Sequence, residues 1–373
     1  MAKKRRIIVS VTNDLFTDQR VRKICEFLVA ANYEVTLVGR LLKNSQPMPT
    51  TAYKTRRFKL FFTKGALFYA NYNLRLFFYL IFTKTDCLLA NDLDTLYANH
   101  WARKFKKNCP LLYDSHEYYI GVPELVQRPK IQKIWRFIEK RTVPKVDAMY
   151  TVNESIAAIY RKEYHREVKV VRNISDFKGL STLKSKQELG LPLDKKIIIA
   201  QGAGINIDRG VEEVMEAIQL VENAILIIIG DGDVLPLLKQ KVANEDLEEK
   251  VKFFGKRPYL EMMNFTVHSD VGISMDKDTN INYRFSLPNK IFDYIHAGIP
   301  VLVSNLPEIK NIVEGFGVGL VCPSHRPKEI AQYLNQILHD DPLKEKFKQA
   351  TKSASQKLTW ANECEVLKTI YCQ

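Results

Sequence analysis

The stretch Ser286–Pro300, SLPNKIFDYIHAGIP, reads as one short helix with its entrance and exit marked. Leu287 and Pro288 stand where a loop turns into a helix, because proline is tolerated in a first turn whose N–H groups are unbonded anyway. Ile291 and Ile295, with Phe292 and Tyr294, supply apolar positions at helical spacing. Gly298 is the expected cap and Pro300 the stop, and the VLVS that follows reads as a buried strand. Inside the helix sit Asn289, Lys290 and Asp293. Lys290 lies near the N-terminal end, where free backbone N–H groups attract anions, and Asp293 follows about one turn later on the same side. A cation for phosphate beside a carboxylate for sugar hydroxyls suits a nucleotide-sugar site. The alternative is an ordinary i,i+3 surface ion pair.

Working outward, 373 residues suffice for two domains with full cores. A hydrophobic content of 46% with 26% charged residues is that of a globular chain, not a disordered one. The six cysteines form no CxxC and no metal-ligand spacing, and read as reduced thiols of a cytoplasmic protein. AKKRRIIVSV near the N-terminus reads as a first strand, not a signal peptide, and no apolar run has the length of a spanning helix. The net charge of +14 is uneven. Residues 1–180 hold 33 Lys and Arg against 16 Asp and Glu, and the remainder holds 23 against 26. The first half is expected to meet something anionic, and the second is not.

The opening strand, Arg6–Val11, is followed by the loop TNDLFTDQR (12–20), a helix ended by Asn32, and a strand over Val35–Val38. This is the repeating unit of a parallel sheet. It lacks GxGxxG, so no classical dinucleotide site is read there. The loop carries Asp14, with Asp18 and Arg20 at the helix entrance, where Asp18 could simply be a helix cap. Residues 54–84, KTRRFKLFFTKGALFYANYNLRLFFYLIFTK, are dense in Phe, Tyr, Lys and Arg without one acidic residue. Such a face suits an anionic membrane surface, and the alternative is aromatic packing beneath solvated cations. No nucleic-acid signature accompanies it, so nucleic acid is not expected as a partner.

The strand Cys87–Ala90 runs into NDLD (91–94), and a helix is expected to about Lys107. The strand Pro110–Tyr113 ends in DSHE, placing His116 and Glu117 at a strand's carboxyl end, where open α/β sheets bind ligands. After Arg172 and Asn173 a polar segment at about 175–193 reads as the linker. The second domain opens with IIIAQGAG, and its loop runs to Asp208-Arg209-Gly210 before a helix near Val211. Glycines such as Gly202 and Gly204 let backbone approach a phosphate. Further strands end at Gly230 and at Gly255-Lys256.

The order of these motifs resembles the GT4-like (group 1) retaining glycosyltransferases of the GT-B fold, along nearly the whole chain. The resemblance implies two facing Rossmann-like α/β domains with a cleft between them. The domains would be an acceptor-side domain at 1–180, a nucleotide-sugar domain at 181–355 and a last helix at 356–373 crossing back to the first. It also implies sugar transfer from a nucleotide diphosphate with retention and without a metal or other cofactor. His116 would lie in the catalytic cleft, and Arg209 with Lys290 would neutralise the leaving diphosphate. Gly202, Gly204, Gly230, Pro288, Asn289 and Asp293 would contact the donor, with the nucleobase near Gly255 and Lys256. Asp14, Asp18, Arg20 and Glu117 are the cleft and acceptor candidates. The family's pair of acidic residues, eight apart, is incomplete, because Phe285 stands at the first position. Asn282, Asn280 and Asp278 are possible substitutes from the same loop, and the family's second basic residue is replaced by Ala203. Asp276 and Asp278 have the spacing of a metal-binding pair but are discounted. The expected acceptor is a glycolipid, a lipid-linked oligosaccharide or a growing polysaccharide on the inner face of the cell membrane, for a peripheral cytoplasmic enzyme of cell-surface polysaccharide synthesis. An epimerase acting on nucleotide-linked sugars, a non-catalytic sugar-nucleotide-binding scaffold and a nucleic-acid-binding protein are the alternatives.

Overall fold

Among the described residues of this computed structural model, thirteen strands, most of them short and rich in Ile, Val and Leu, form two wholly parallel sheets. The structure describes residues 4–16, 18–175, 177 and 179–372. Thr17 of the first loop, Asp176 and Lys178 of the expected linker, and Ala2 and Lys3 of the basic start lie outside the described residues.

The first sheet joins β1 (Arg5–Asp14), β2 (Tyr33–Leu41), β3 (Lys54–Lys59), β4 (Cys87–Asn91), β5 (Leu111–Ser115), β6 (Ala148–Thr151) and β7 (Lys169–Val170) in the order β3-β2-β1-β4-β5-β6-β7. The second joins β8 (Lys196–Gly202), β9 (Ala224–Gly230), β10 (Val251–Phe253), β11 (Val271–Ser274), β12 (Val301–Ser304) and β13 (Gly319–Cys322) in the order β10-β9-β8-β11-β12-β13. Parallel strands covered by helices on both faces need apolar residues at nearly every position. The run AILIII of β9 meets that need, with all six residues buried.

Strand order reverses beside β1 and beside β8, since β1 pairs with β2 on one side and β4 on the other, as β8 does with β9 and β11. Ligands of open α/β sheets bind at the carboxyl ends of strands at such a reversal. Each unit therefore presents one place where loops converge.

The chain divides into two compact units, residues 1–173 with 363–373, and residues 174–362. The changeover falls at Asn173/Ile174, where the polar segment begins. The returning segment belongs to the helix Trp360–Tyr371, whose Tyr371 packs edge-on against Phe27, Tyr33 and Tyr150 of the first unit. The helix expected to reach Lys107 stops at Ala102 and passes into a 3-10 turn over Arg103–Phe105.

The helix read first spans Asn289–His296, with Pro288 as its N-cap. Ala297 is its C-cap, and Gly298, one residue further, takes the left-handed conformation at φ 75°. The amides of Gly298 and Ile299 bond back to Ile295 and Tyr294, which satisfies two terminal carbonyls. Ile291, Phe292, Tyr294 and Ile295 are all fully buried. The Tyr294 ring lies so close to β11 that a side chain at Gly272 would meet it at 2.3 Å. Its hydroxyl donates toward the carbonyls of Ile199 (3.2 Å) and Ile273 (3.3 Å). A glycine on the strand and a tyrosine on the helix thus seat the helix on the sheet, and with it Lys290 and Asp293.

Candidate functional site

In the second unit a pocket forms where β8 ends and the helix Asn289–His296 begins. Its lining includes Gly202, Gly204, Arg209, Pro288, Lys290 and Asp293, with Asn289 beside them. The loop after β8 is held by its own backbone. Ile205 N–H donates to the Asp231 carbonyl (2.9 Å), and Asp231 N–H to that of Gly202 (3.2 Å). Gly230 has no room for a side chain, because a Cβ there would come within 1.7 Å of the Gly202 oxygen. Gly230 and Gly255 are joined by a backbone bond of 3.0 Å. Neither they nor the exposed Lys256 are among the residues lining this pocket.

Lys290 and Asp293 do not pair. Burial lowers the pKa of the Lys290 ammonium, against the pull of Asp276. Asp293 is 5% exposed and raised by burial, partly offset by the hydrogen bonds it accepts. Ser175 Oγ (2.6 Å) and Tyr259 hydroxyl (2.8 Å) donate to its Oδ1, and Gln201 Nε2 (3.2 Å) to its Oδ2. A carboxylate offers about four acceptor directions, so room for a ligand hydroxyl remains on Oδ2.

Arg209 donates from Nη1 to Oδ2 of the fully buried Asp276 at 2.6 Å, and its guanidinium carbon sits 4.0 Å from the Tyr283 ring centre. Its buried Nε–H has no acceptor among the described residues. Ser286 Oγ also donates to Asp276 (3.0 Å). Asp276 is therefore the counter-ion of the basic pair. Asp278, half exposed, lies 3.6 Å from Arg284 instead. Asn280 caps the short helix Ile281–Arg284 by accepting from Tyr283 N–H, and none of Asp278, Asn280 and Asn282 lines the pocket.

In the first unit His116 follows β5 in a nest of acids. Its Nδ1 lies 3.4 Å from Asp92, and its Nε2 lies 3.4 Å from Asp114 and 3.3 Å from Asn91 Oδ1. Burial opposes its protonation, but the two carboxylates outweigh burial and push it up to about 9. Asp114 is held below its ordinary value in spite of burial, because Arg20 and His116 stabilise its charge. Asp92 is raised, since burial exceeds the help it receives from His116. Arg20 is 3% exposed and grips Asp114 with two bonds, Nη2 to Oδ1 at 2.7 Å and Nε to Oδ2 at 3.1 Å. It also donates to the Val171 carbonyl. Arg20 thus supports His116 through Asp114.

Asp18 is the N-cap of the helix Gln19–Ala30, accepting from Val21 N–H at 3.1 Å. Asp14 is engaged by Ser45, by Phe16 N–H and by Arg57 at 3.8 Å. Both hold loops. Glu117 lines a cavity of about 780 Å³ together with Asp92, Asp94 and Thr12. Asp92, Asp94, Gln201 and Tyr259 were missed by reading for motifs, although NDLD at a strand end was a signal for the first two.

Two parallel α/β units, each with its pocket at a strand-order reversal, define the GT-B class of protein. Solved structures agree. Sucrose-phosphate synthase from Thermosynechococcus elongatus superimposes with a TM-score of 0.82 at 16% identity, over 99% of each chain. The Anabaena protein HepE, in complex with UDP and glucose, has a TM-score of 0.74 at 16% identity, covering 99% of this chain and 100% of that one. Residues 18–177 match the model described as Glycosyltransferase Family 4, and residues 181–354 the model described as Glycosyl transferases group 1. The chain belongs to the GT4-like, group 1 glycosyltransferases. It is 29% identical over 137 residues to the probable glycosyltransferase WbjE of Pseudomonas aeruginosa, covering 36% of this chain and 34% of that protein. It is 22% identical over 270 residues to the chitobiosyldiphosphodolichol beta-mannosyltransferase of Candida albicans, covering 66% and 58%. The chain thus spans about a third and somewhat over half of the length of these two relatives.

Proposed function

We propose that the chain transfers a sugar from a nucleotide diphosphate to a membrane-associated glycolipid or polysaccharide acceptor, with retention of configuration and without a metal. The observation that carries this reading is the donor-type pocket. Arg209 and Lys290 stand at a helix N-terminus beside Gly202 and Gly204, with the Asp293 carboxylate one turn further on. Two cations and a helix N-terminus offset charge developing on a departing diphosphate, a preorganised electrostatic role. Asp293 accepts from donor hydroxyls, those of the ribose first. That the solved HepE structure holds UDP supports a nucleotide at this pocket.

His116 acts by position. Asp92 and Asp114, each 3.4 Å from one of its ring nitrogens, hold the ring in one orientation. No residue is assigned as a covalent nucleophile.

The membrane reading draws on exposed aromatics. Phe61 and Phe82 are 81% and 82% exposed, and Leu74 and Phe78 continue the open face of the helix Gly65–Phe82. Trp101 and Phe105 are also exposed, with the Lys104 ammonium 3.8 Å above the Trp101 ring. Rings with interspersed cations suit an anionic lipid surface. No described helix is long and apolar enough to cross a membrane. The enzyme would work on the cytoplasmic face.

The direct test incubates the chain with a panel of nucleotide-diphosphate sugars and an alkyl glycoside, following nucleotide release and the anomeric NMR signal of the product. Transfer with the donor's own anomeric configuration is expected. An inverted product overturns retention. Conversion of the donor sugar to its epimer without transfer overturns the transferase reading.

A further inference from the structure

The strand β5 carries a second polar layer, on the face away from Arg20. Successive strand residues face opposite ways, so Tyr113 and Ser115 share one face and Asp114 takes the other. The helix Glu154–Tyr164 brings Tyr160 and Tyr164 to this layer, and the helix Pro129–Thr142 brings Glu139. Glu139 is fully buried and has no ion pair among the described residues. The Tyr164 hydroxyl donates to its Oε1 at 2.5 Å. Its Oε2 is buried without a described partner, as is the Tyr113 hydroxyl. Burial, with Glu163 adding to it against Tyr164, Arg136 and Lys140, pushes this carboxyl up to about 7. Burial first, and the Glu139 charge after it, raises Tyr113, Tyr118, Tyr160 and Tyr164 alike, so four hydroxyls face one carboxyl.

Contacts lead from this layer to His116. Ser115 Oγ donates its one proton to the Glu117 carbonyl (2.7 Å), so the Tyr160 hydroxyl is the donor to Ser115 Oγ (3.1 Å). That bond from Ser115 to Glu117 closes the turn on which His116 sits. Tyr160 stacks on Tyr164 with ring centres 6.1 Å apart, and Tyr164 holds Glu139. The helix of Glu139 also grips the segment just beyond the turn, through Gln132 Nε2 and the Ile120 carbonyl at 2.8 Å. The two states of Glu139 need different neighbours. Ionised, its Oε2 only accepts, and protonated it offers a donor.

We propose that Glu139 is a positioning residue for His116, its charge state acting through Tyr164, Tyr160 and Ser115 on the turn that carries the ring. The coupling needs no ligand and goes beyond the sugar-transfer reading, and only its consequence for turnover rests on that reading.

An NMR titration of the full chain with ¹³C-labelled histidine tests this, the His116 ring signal being the one absent from His116→Gln. In wild type that signal should move in two steps, its own near pH 9 and a second near pH 7. Glu139→Gln should remove the step near 7 and keep the one near 9. Tyr160→Phe should at least halve the step near 7, because it keeps the Glu139 charge but breaks the last link to the turn. A charge felt only through space would survive that substitution undiminished, and this result overturns the proposal. Tyr160→Phe also decides the matter where Glu139→Gln fails to fold. Asp94, pushed up to about 8 by burial and Asp92, is another acid that acts on His116. Asp94→Asn should therefore leave the step near 7 in place. No step near 7, a step that survives Glu139→Gln, or one lost in Asp94→Asn instead overturns the proposal. Sugar transfer by a protein without the step sinks only this inference, and the step without sugar transfer sinks only the transferase reading.

Discussion

Arg209 and Asp276 form a short ion pair, Nη1 to Oδ2 at 2.6 Å, in which the acid is fully buried and the guanidinium is 26% exposed. The pair aims Arg209 and lowers the net positive charge that the pocket's basic end presents. Asp276→Asn should therefore tighten nucleotide diphosphate about three- to tenfold by removing a negative charge, and lower turnover at least tenfold because Arg209 loses its orientation. Calorimetry and steady-state rates on one preparation check both. A variant with unchanged affinity and turnover would show that Asp276 does not govern Arg209.

The seating of the helix Asn289–His296 depends on Tyr294 and Gly272. Tyr294→Phe should cost about 1 kcal/mol by leaving two strand carbonyls short of a donor. Gly272→Ala should cost more, about 1–3 kcal/mol, because the added methyl overlaps the ring. Urea unfolding of the three proteins gives the ranking, and a neutral Gly272→Ala would contradict it.

His116 makes stability depend on pH. Its folded value, about 9, lies above the ordinary 6.5. The stabilisation is then complete below about pH 6.5 and lost as pH rises through 9, with an upper limit of about 3 kcal/mol. The stability gap between wild type and His116→Gln should narrow across that window when melts are compared at its two ends. A gap independent of pH would mean that folding leaves the His116 value where it is in the unfolded chain.

Much of the fold was legible because parallel strands buried on both faces must be nearly continuous apolar runs, as 224–229 and 301–304 are. The helix Asn289–His296 was legible for a similar reason, since proline, helical spacing and a left-handed glycine each mark it locally. What holds the sites was not. Arg20 and Asp114 lie 94 positions apart in sequence, and no local pattern announces that they meet. Asp18 and Arg20 looked alike as loop residues, and only packing separates a helix cap from a buried ion-pair partner. Asp92 adopts φ 57° with ψ 164°, a conformation nearly confined to glycine, and this turns its carboxylate to His116. Phe285 advertised a gap in the acidic pattern. Asp276, the buried acid beside the basic pair, has metal-pair spacing with Asp278 but is discounted as a ligand because it lies in the loop, and no local pattern shows that it meets Arg209.

The exposed rings of the first unit should govern attachment to lipid. Phe61→Ser with Phe82→Ser should weaken binding to vesicles containing anionic lipid at least tenfold, since each ring withdrawn from the interface forfeits about 1.5–3 kcal/mol at full burial. Raised salt should weaken the wild type as well. Co-sedimentation reads both, and undiminished binding by the double variant would place the contact elsewhere.

The central claim is that the pocket of Arg209, Lys290 and Asp293 holds a nucleotide diphosphate. The most direct measurement is thermal stabilisation by UDP, GDP, ADP and CMP in wild type, Arg209→Ala and Lys290→Ala, because a ligand that binds only the folded state raises Tm by mass action. The account predicts a rise with one nucleoside diphosphate that is lost in both variants. A Tm unmoved by every nucleotide, or a rise that survives both substitutions, would contradict it.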